Sequence, residues 1–134
     1  MKEYSEVKHI KVEEFFKNTN KDYFVYLYFT YCPHCNLIKE YMIDYASKNK
    51  DIEINFICMD EDKDAELFKN IENKDNLSHA DLIKSYVSAS IGKDKLEEVG
   101  YYYVPSLYHV VDHKIENIYV GEFIIKPYLM NLKK

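Results

Sequence analysis

Two cysteines separated by two residues, Cys32 and Cys35, are the side chains of this sequence best suited to chemistry. A run of aromatic and β-branched residues precedes them and an amphipathic stretch follows, so the pair stands where a buried strand turns into a helix. The positive end of a helix stabilises a thiolate, which is the species that attacks a disulfide. Cys35 follows one helical turn later, close enough to form a disulfide with Cys32. The spacing predicts a dithiol–disulfide couple, with Cys32 as the nucleophile and Cys35 as the more buried resolving thiol.

The two residues between the cysteines support this prediction. Pro33 fits the first helical turn, where a missing N–H is harmless. His34 supplies a ring that can carry a positive charge beside the thiolate, and such a charge lowers the pKa of a neighbouring thiol. A lower thiol pKa stabilises the reduced form, so we expect the disulfide to be a comparatively strong oxidant.

The cysteines also allow other interpretations. Together with Cys58 and a histidine, the pair could supply four ligands to a metal ion, although the sequence has no second Cys-x-x-Cys. Cys58 is either a third redox thiol or a small apolar side chain in the core, and core packing is the default for a buried cysteine. The position between strand and helix favours redox chemistry for the pair, and we expect neither a metal nor another cofactor.

Length, charge and hydropathy narrow the function further. The 134 residues match one domain, 1–134, and the net charge of -5 comes without a lysine stripe that would follow a phosphate backbone. The N-terminus lacks the apolar run of a secretory signal, and no stretch approaches the roughly 18 apolar residues of a membrane span. We expect a monomeric, cytoplasmic protein that binds neither nucleic acid nor membrane.

The hydrophobic pattern predicts an α/β fold. Strands and helices alternate in the first part of the chain, over residues 7–10, 12–16, 23–29, 37–45 and 51–59. This β-α-β-α-β order is typical of parallel strands joined by right-handed crossovers. A strand over 105–111, a turn at 112–114 and a strand over 115–120 form an antiparallel hairpin, and a last helix carries Pro127 in its early part.

Residues 61–100 break this alternation and predict a helical insertion. Leu67, Phe68 and Ile71 have the spacing of one helix. A second helix follows Ser78, which is a candidate N-cap, and Gly92 and Gly100 are candidate stops.

The sequence around the cysteines resembles the active site of thioredoxin-like proteins. The resemblance rests on residues 29–35 with the following helix, and on residues 104–107 with the hairpin and Gly121 after them. It covers residues 6–131 and implies the thioredoxin fold, a mixed central sheet flanked by helices, with 61–100 as a helical insertion. Residues 10–16 also resemble bacteriocin-transport accessory proteins of Gram-positive bacteria.

The resemblance implies a role for each residue of the site. Cys32 would be the nucleophile and Cys35 the resolving thiol of a thiol–disulfide oxidoreductase. Pro105 would follow a cis peptide bond and lie near Cys32, and the backbone of Val104 would pair with a substrate chain. Tyr31 stands where the family usually has a tryptophan and would also contact the substrate. The partners would be protein or small-molecule disulfides, or an electron donor of the thioredoxin-reductase type.

Two features depart from thioredoxin itself. The dipeptide Pro33-His34 is the one found in the periplasmic disulfide oxidase DsbA, and it indicates a potential more oxidising than that of thioredoxin. Tyr26 occupies the position of a buried acid that moves protons in thioredoxins, and a tyrosine with a reference pKa of about 10 is a poor base. An alternative function is therefore a non-catalytic binding module that assists peptide export.

Overall fold

The computed structural model describes residues 2–65, 76–99 and 103–132. In these parts of the chain four strands form one sheet, and their bounds are Asp22–Tyr28 (β1), Ile54–Cys58 (β2), Ser106–Val111 (β3) and Lys114–Val120 (β4). The α-helices are Pro33–Lys48 (α1), His79–Ser90 (α2) and Glu122–Leu132 (α3). The predicted mixed sheet flanked by helices is confirmed.

The order of the strands is β2-β1-β3-β4, with β1 parallel to β2 and antiparallel to β3, and β3 antiparallel to β4. In this register Tyr28 pairs with Cys58, and Ser106 pairs with both Leu27 and Val120. The last residues of β1, β2 and β4 and the first residue of β3 therefore lie along one edge of the sheet. The Cys-x-x-Cys segment, the segment around residue 105 and the start of α3 all connect to this edge.

Strand β1 is buried on both faces, as its unbroken apolar sequence predicts. Tyr23, Val25 and Leu27 belong to the core on one face, and Phe24 and its alternate neighbours belong to the core on the other face. Burying such large side chains contributes about 1.5–3 kcal/mol each. The core on the Phe24 side also contains Cys32, Cys35 and side chains of α1 and α3, so hydrophobic packing holds α1 and α3 against the same face of the sheet.

The predicted first strand and first helix are much reduced. Residues 7–10 form one parallel bridge, between His9 and Phe56, and Val12–Glu14 is a single turn of 3₁₀-helix. Side-chain contacts flank the bridge: before it, Tyr4 stacks on Tyr28 of β1 with 3.7 Å between ring centroids. Beyond the bridge, the backbone N–H of Val12 donates to the carboxylate of Asp62 at 2.8 Å.

The second half of the chain follows the predicted order. Asp112 and His113, with φ of 52° and 64°, form the turn between β3 and β4. Helix α3 begins directly after Gly121, so that Pro127 lies inside the helix and not in its early part. The predicted helix with Leu67, Phe68 and Ile71 and the predicted stop at Gly100 lie outside the described residues. No helix in the described ranges is long and apolar enough to cross a membrane.

Helix α2 begins at the predicted N-cap. The hydroxyl of Ser78 accepts a hydrogen bond from the backbone N–H of Asp81 at 3.2 Å and donates to its carboxylate at 3.0 Å. At its other end, Gly92 adopts φ of 82° and donates its N–H to the carbonyl of Ile115 in β4 at 2.8 Å. The insertion is thus tied to the sheet.

We expect Ser78→Ala to lower the free energy of unfolding by about 1 kcal/mol, because the helix loses the acceptor for its N-terminal N–H. Ser88→Ala is the matched control, since Ser88 is exposed within the same helix and alanine has the higher helix propensity. Urea denaturation would measure both variants. Equal destabilisation by the two substitutions would contradict the assigned cap.

Candidate active site

Cys32 is the N-cap of α1, and Pro33 is the first residue of the helix. Cys32 has extended backbone angles, φ -127° and ψ 112°, and its carbonyl accepts from the N–H of Asn36 at 2.9 Å. Its sulfur accepts from the N–H of Cys35 at 3.1 Å. The sulfur of Cys32 therefore faces the unpaired N–H groups at the positive end of the helix, where a negative charge is stabilised.

Cys32 and Cys35 form a disulfide, with 5.1 Å between their Cα atoms. Cys32 retains 7% of its surface exposed, whereas Cys35 is completely buried. Of the two residues, Cys32 is therefore the one that retains some contact with solvent. Cys35 is the more buried of the two, as the sequence predicted, and the roles of nucleophile for Cys32 and resolving thiol for Cys35 stay predictions.

His34 extends from the first turn of α1 towards α3. Its Nδ1 lies 2.7 Å from the carboxylate oxygen Oε1 of Glu122, the first residue of α3. The imidazole side chain is 68% exposed, while the side chain of Glu122 is only 7% exposed. Sequence reasoning missed Glu122, because an acid in the first turn of a helix is common and gives no sign that it is buried beside a distant histidine.

The segment directly before β3, with Val104 and Pro105, lies at the same edge of the sheet as Cys32. The peptide bond between Val104 and Pro105 is cis, as the resemblance implied. The carbonyl of Pro105 accepts from the N–H of Gly121 at 2.9 Å, which joins this segment to the start of α3. Val104 packs partly buried against the core that contains the two cysteines. Tyr31, directly before Cys32, is 90% exposed.

Tyr26 is buried in the core that contains the two cysteines. Burial raises the pKa of Tyr26 well above its ordinary value, and the negative charges of nearby groups, Glu122 among them, add to this effect. Within the described part of the chain its hydroxyl has no hydrogen-bond partner. Tyr26 therefore cannot serve as a base at neutral pH, as its residue type predicted.

Cys58 lies next to the active-site loop but outside the disulfide. Its sulfur donates to Oδ1 of Asp60 at 2.9 Å and lies 3.3 Å from the hydroxyl of Thr30. Asp60 also accepts from the backbone N–H of Thr30, with 3.1 Å to each of its oxygens. Burial, together with the hydrogen bond to Asp60 and its charge, raises the pKa of Cys58. Cys58 is thus a partly buried thiol whose hydrogen bonds link it to Asp60 and Thr30, next to the loop before Cys32. It differs in this respect from a cysteine that only packs as an apolar side chain.

No group of three or more histidine, cysteine or acidic side chains in the described ranges is arranged to hold a metal ion. Two histidines with His-x-x-x-His spacing, His109 and His113, lie towards the hairpin turn, at the edge of the sheet opposite to the cysteines. His109 is hydrogen-bonded through Nε2 to Asp22 at 2.7 Å. These histidines do not approach the Cys-x-x-Cys pair.

Solved structures of thioredoxins are similar to this chain over nearly its whole length. Mitochondrial thioredoxin 3 of Saccharomyces cerevisiae, in its oxidized form, has 12% identity and a TM-score of 0.56, covering 96% of this chain and 97% of that chain. Thioredoxin NaTrxh of Nicotiana alata has 16% identity and a TM-score of 0.56, covering 99% and 96%. A chain from the complex of ferredoxin:thioredoxin reductase with thioredoxin f2 has 15% identity and a TM-score of 0.54, covering 95% and 92%.

These similarities show that the chain has the thioredoxin fold. No protein-family model matches the sequence, and no curated protein matches it significantly. The resemblance of residues 10–16 to bacteriocin-transport accessory proteins therefore stays a prediction.

We expect Asp60→Asn to accelerate alkylation of Cys58 by iodoacetamide at pH 8, because the substitution removes a carboxylate that raises the pKa of this thiol. Thr30→Val should slow the same reaction, because the hydrogen bond from Thr30 lowers the pKa. The oxidised protein is used, in which Cys58 is the free cysteine, and mass spectrometry follows the modification. Rate changes of the same sign in both variants would contradict the assigned network.

Proposed function

We propose that this chain is a thiol–disulfide oxidoreductase of the thioredoxin fold, which cycles Cys32 and Cys35 between dithiol and disulfide. The observation that carries the proposal is the disulfide at the N-terminus of α1, in which Cys32 retains some exposed surface and Cys35 is completely buried. Such a pair reacts in two steps, the first with a substrate and the second within the protein. The fold supports redox activity in general, and the identity of the substrate is part of the proposal.

The reaction begins with the reduced protein and a substrate disulfide. The thiolate of Cys32 forms a bond to one substrate sulfur, the substrate S–S bond breaks, and the departing thiolate takes up a proton. The thiol of Cys35 then loses its proton and attacks Cys32, which releases the second substrate thiol and closes the protein disulfide. Two electrons and two protons pass to the substrate, and a dithiol donor drives the same steps in reverse.

The helix N-terminus alone leaves most of the nucleophile protonated. It stabilises a negative charge by about 0.3–1 kcal/mol, whereas one pKa unit corresponds to about 1.4 kcal/mol. A thiol with a reference pKa of about 8.5 would therefore remain largely protonated at pH 7. A further group can help with the proton, and His34 follows Cys32 by two residues in the first turn of α1.

A substrate would dock on the surface around Cys32. Tyr31 offers an exposed aromatic ring next to the nucleophile, and aromatic side chains with one polar end are frequent at binding surfaces. Val104 lies just before β3, outside the sheet ladder, where its backbone can pair with an extended chain. Pro105 buries its ring beside it and holds the start of α3 through its carbonyl.

The partners would be proteins or small molecules that carry disulfides or dithiols. Among the similar structures, one thioredoxin was solved with a reductase, and by analogy a protein electron donor would reduce this chain. We propose a cytoplasmic location, because the three cysteines provide a redox pair and a single further thiol and no framework of structural disulfides. We propose further that the protein is a monomer.

The decisive measurement is the reduction potential of the Cys32–Cys35 pair. We expect a reversible two-electron transition when the protein is equilibrated with defined glutathione ratios and its thiols are trapped for mass spectrometry. The helix terminus and His34 both favour the thiolate, so the midpoint should lie above thioredoxin's value of about -270 mV, towards the value of about -120 mV of DsbA. Absence of a reversible disulfide at every ratio would contradict the proposal and favour a binding module.

The order of the two steps is tested by single substitutions. Cys35→Ser should accumulate a mixed disulfide at Cys32 with a model substrate, because the second attack is lost. Cys32→Ser should form none at Cys35, since this remaining thiol of the pair is buried. Cys58→Ser is the matched control and should leave the midpoint and the trapping unchanged. Trapping at Cys35 in the Cys32→Ser variant would contradict the assigned roles.

A further inference from the structure

Glu122 is the only buried side chain in the described ranges that belongs to an ordinarily charged residue type. It is 6% exposed as a residue and begins α3, where the N–H groups of the first helical turn favour a negative charge. Burial of a carboxylate is unfavourable unless a partner compensates it. The carboxylate of Glu122 has Nδ1 of His34 as its hydrogen-bond partner, and His34 directly precedes Cys35.

With Glu122 ionised, this hydrogen bond determines which nitrogen of a neutral His34 ring carries the proton. An ionised carboxylate only accepts hydrogen bonds, so Nδ1 must be the donor. In the neutral ring Nε2 is then free of hydrogen and can accept a proton. Because the histidine side chain is largely exposed, little else restrains its rotamer, and the carboxylate also determines the orientation of the ring.

The surrounding structure holds Glu122 in place. The residue before it, Gly121, donates its N–H to the carbonyl of Pro105 and accepts from the N–H of Ile125, both at 2.9 Å. Tyr26 lies close enough for the charge of Glu122 to contribute to the raised pKa of the Tyr26 hydroxyl, so this hydroxyl stays neutral. The acidic side chain near the cysteines is therefore that of Glu122 at the start of α3, and Tyr26 of β1 supplies no charge there.

We propose that Glu122 is a positioning residue of the redox site, which holds His34 in its Nδ1–H form so that Nε2 exchanges a proton with the Cys32 thiol. This inference rests on the proposed function. In the forward reaction Nε2 takes the proton of the thiol, directly or through one water, and Cys32 attacks the substrate disulfide. The S–S bond of the substrate breaks as the new bond forms, and Nε2 returns the proton to the departing thiolate. The substrate disulfide is the oxidant, so atoms and electrons balance.

The direct test is the tautomer of His34, read from long-range ¹H–¹⁵N correlations in the nuclear magnetic resonance spectrum of the whole protein. The wild-type ring should be in the Nδ1–H form at a pH where it is neutral. Glu122→Ala should shift the population towards the Nε2–H form, and Glu122→Gln should retain the Nδ1–H form because its amide oxygen still accepts. A wild-type ring in the Nε2–H form overturns the inference, whether or not the variants fold.

The kinetic test uses bis(2-hydroxyethyl) disulfide, an uncharged dialkyl disulfide whose thiolate needs a proton on departure. Glu122→Ala should slow oxidation of the reduced protein about tenfold, the loss expected from one hydrogen bond to a charged group. Glu122→Gln should recover part of the rate. Glu116→Ala removes an exposed carboxylate from β4 and should leave the rate unchanged.

A double-mutant cycle separates action through the histidine from other effects. When His34→Ala is already present, Glu122→Ala should change the rate by less than twofold. An equal loss in both backgrounds, or a faster reaction after removal of the carboxylate, overturns the inference while leaving the oxidoreductase function standing. A wild-type protein that does not react with the disulfide at all contradicts the proposed function itself.

Discussion

The central place of β1 in the sheet is the constraint on which the redox site depends. β1 pairs in parallel with β2 on one side and antiparallel with β3 on the other. This arrangement brings the end of β1, the start of β3 and, through β3, the end of β4 to the same edge. Cys32 follows β1, the cis-proline segment precedes β3, and Glu122 follows β4, so residues far apart in the chain lie at the same edge of the sheet. A shift of β1 by one residue would exchange its two buried faces and separate these segments.

The site consists of an apolar core around the two cysteines and one acidic side chain, Glu122, beside that core. Tyr26 fills the interior position and remains uncharged, because burial raises its pKa. The carboxylate comes instead from the first turn of α3, where helix N–H groups and the ring of His34 compensate it. The same interaction links α1 with α3, and the hydrophobic packing of these helices against the sheet supports it. The contacts that hold α1 and α3 together are thus also the contacts that surround the two cysteines.

The fold could be predicted from the sequence where a local pattern decides the structure. The apolar run before Cys32, the cap at Ser78 and the turn at Asp112 and His113 each depend on a few neighbouring residues. Glu122 and Asp60 could not be predicted, because their partners, His34 and Thr30, approach them only through the register of the sheet. The sequence predicts a strand over residues 7–10, whereas the structure has a single bridge there. Apolar residues of this segment pack against the core without extending a ladder of strand pairing, and a local pattern does not distinguish these two arrangements.

The complete burial of Cys35 also has a consequence for competition between thiols. Held one helical turn from Cys32, it attacks as an intramolecular group, and well-oriented groups of this kind reach effective molarities on the order of 10⁵–10⁸ M. Free thiols in solution stay far below such concentrations, so in the proposed reaction a mixed disulfide at Cys32 would be resolved from within before an outside thiol intervenes. The lifetime of that complex with a substrate would then be a property of the chain itself and would not vary with the thiol content of its surroundings.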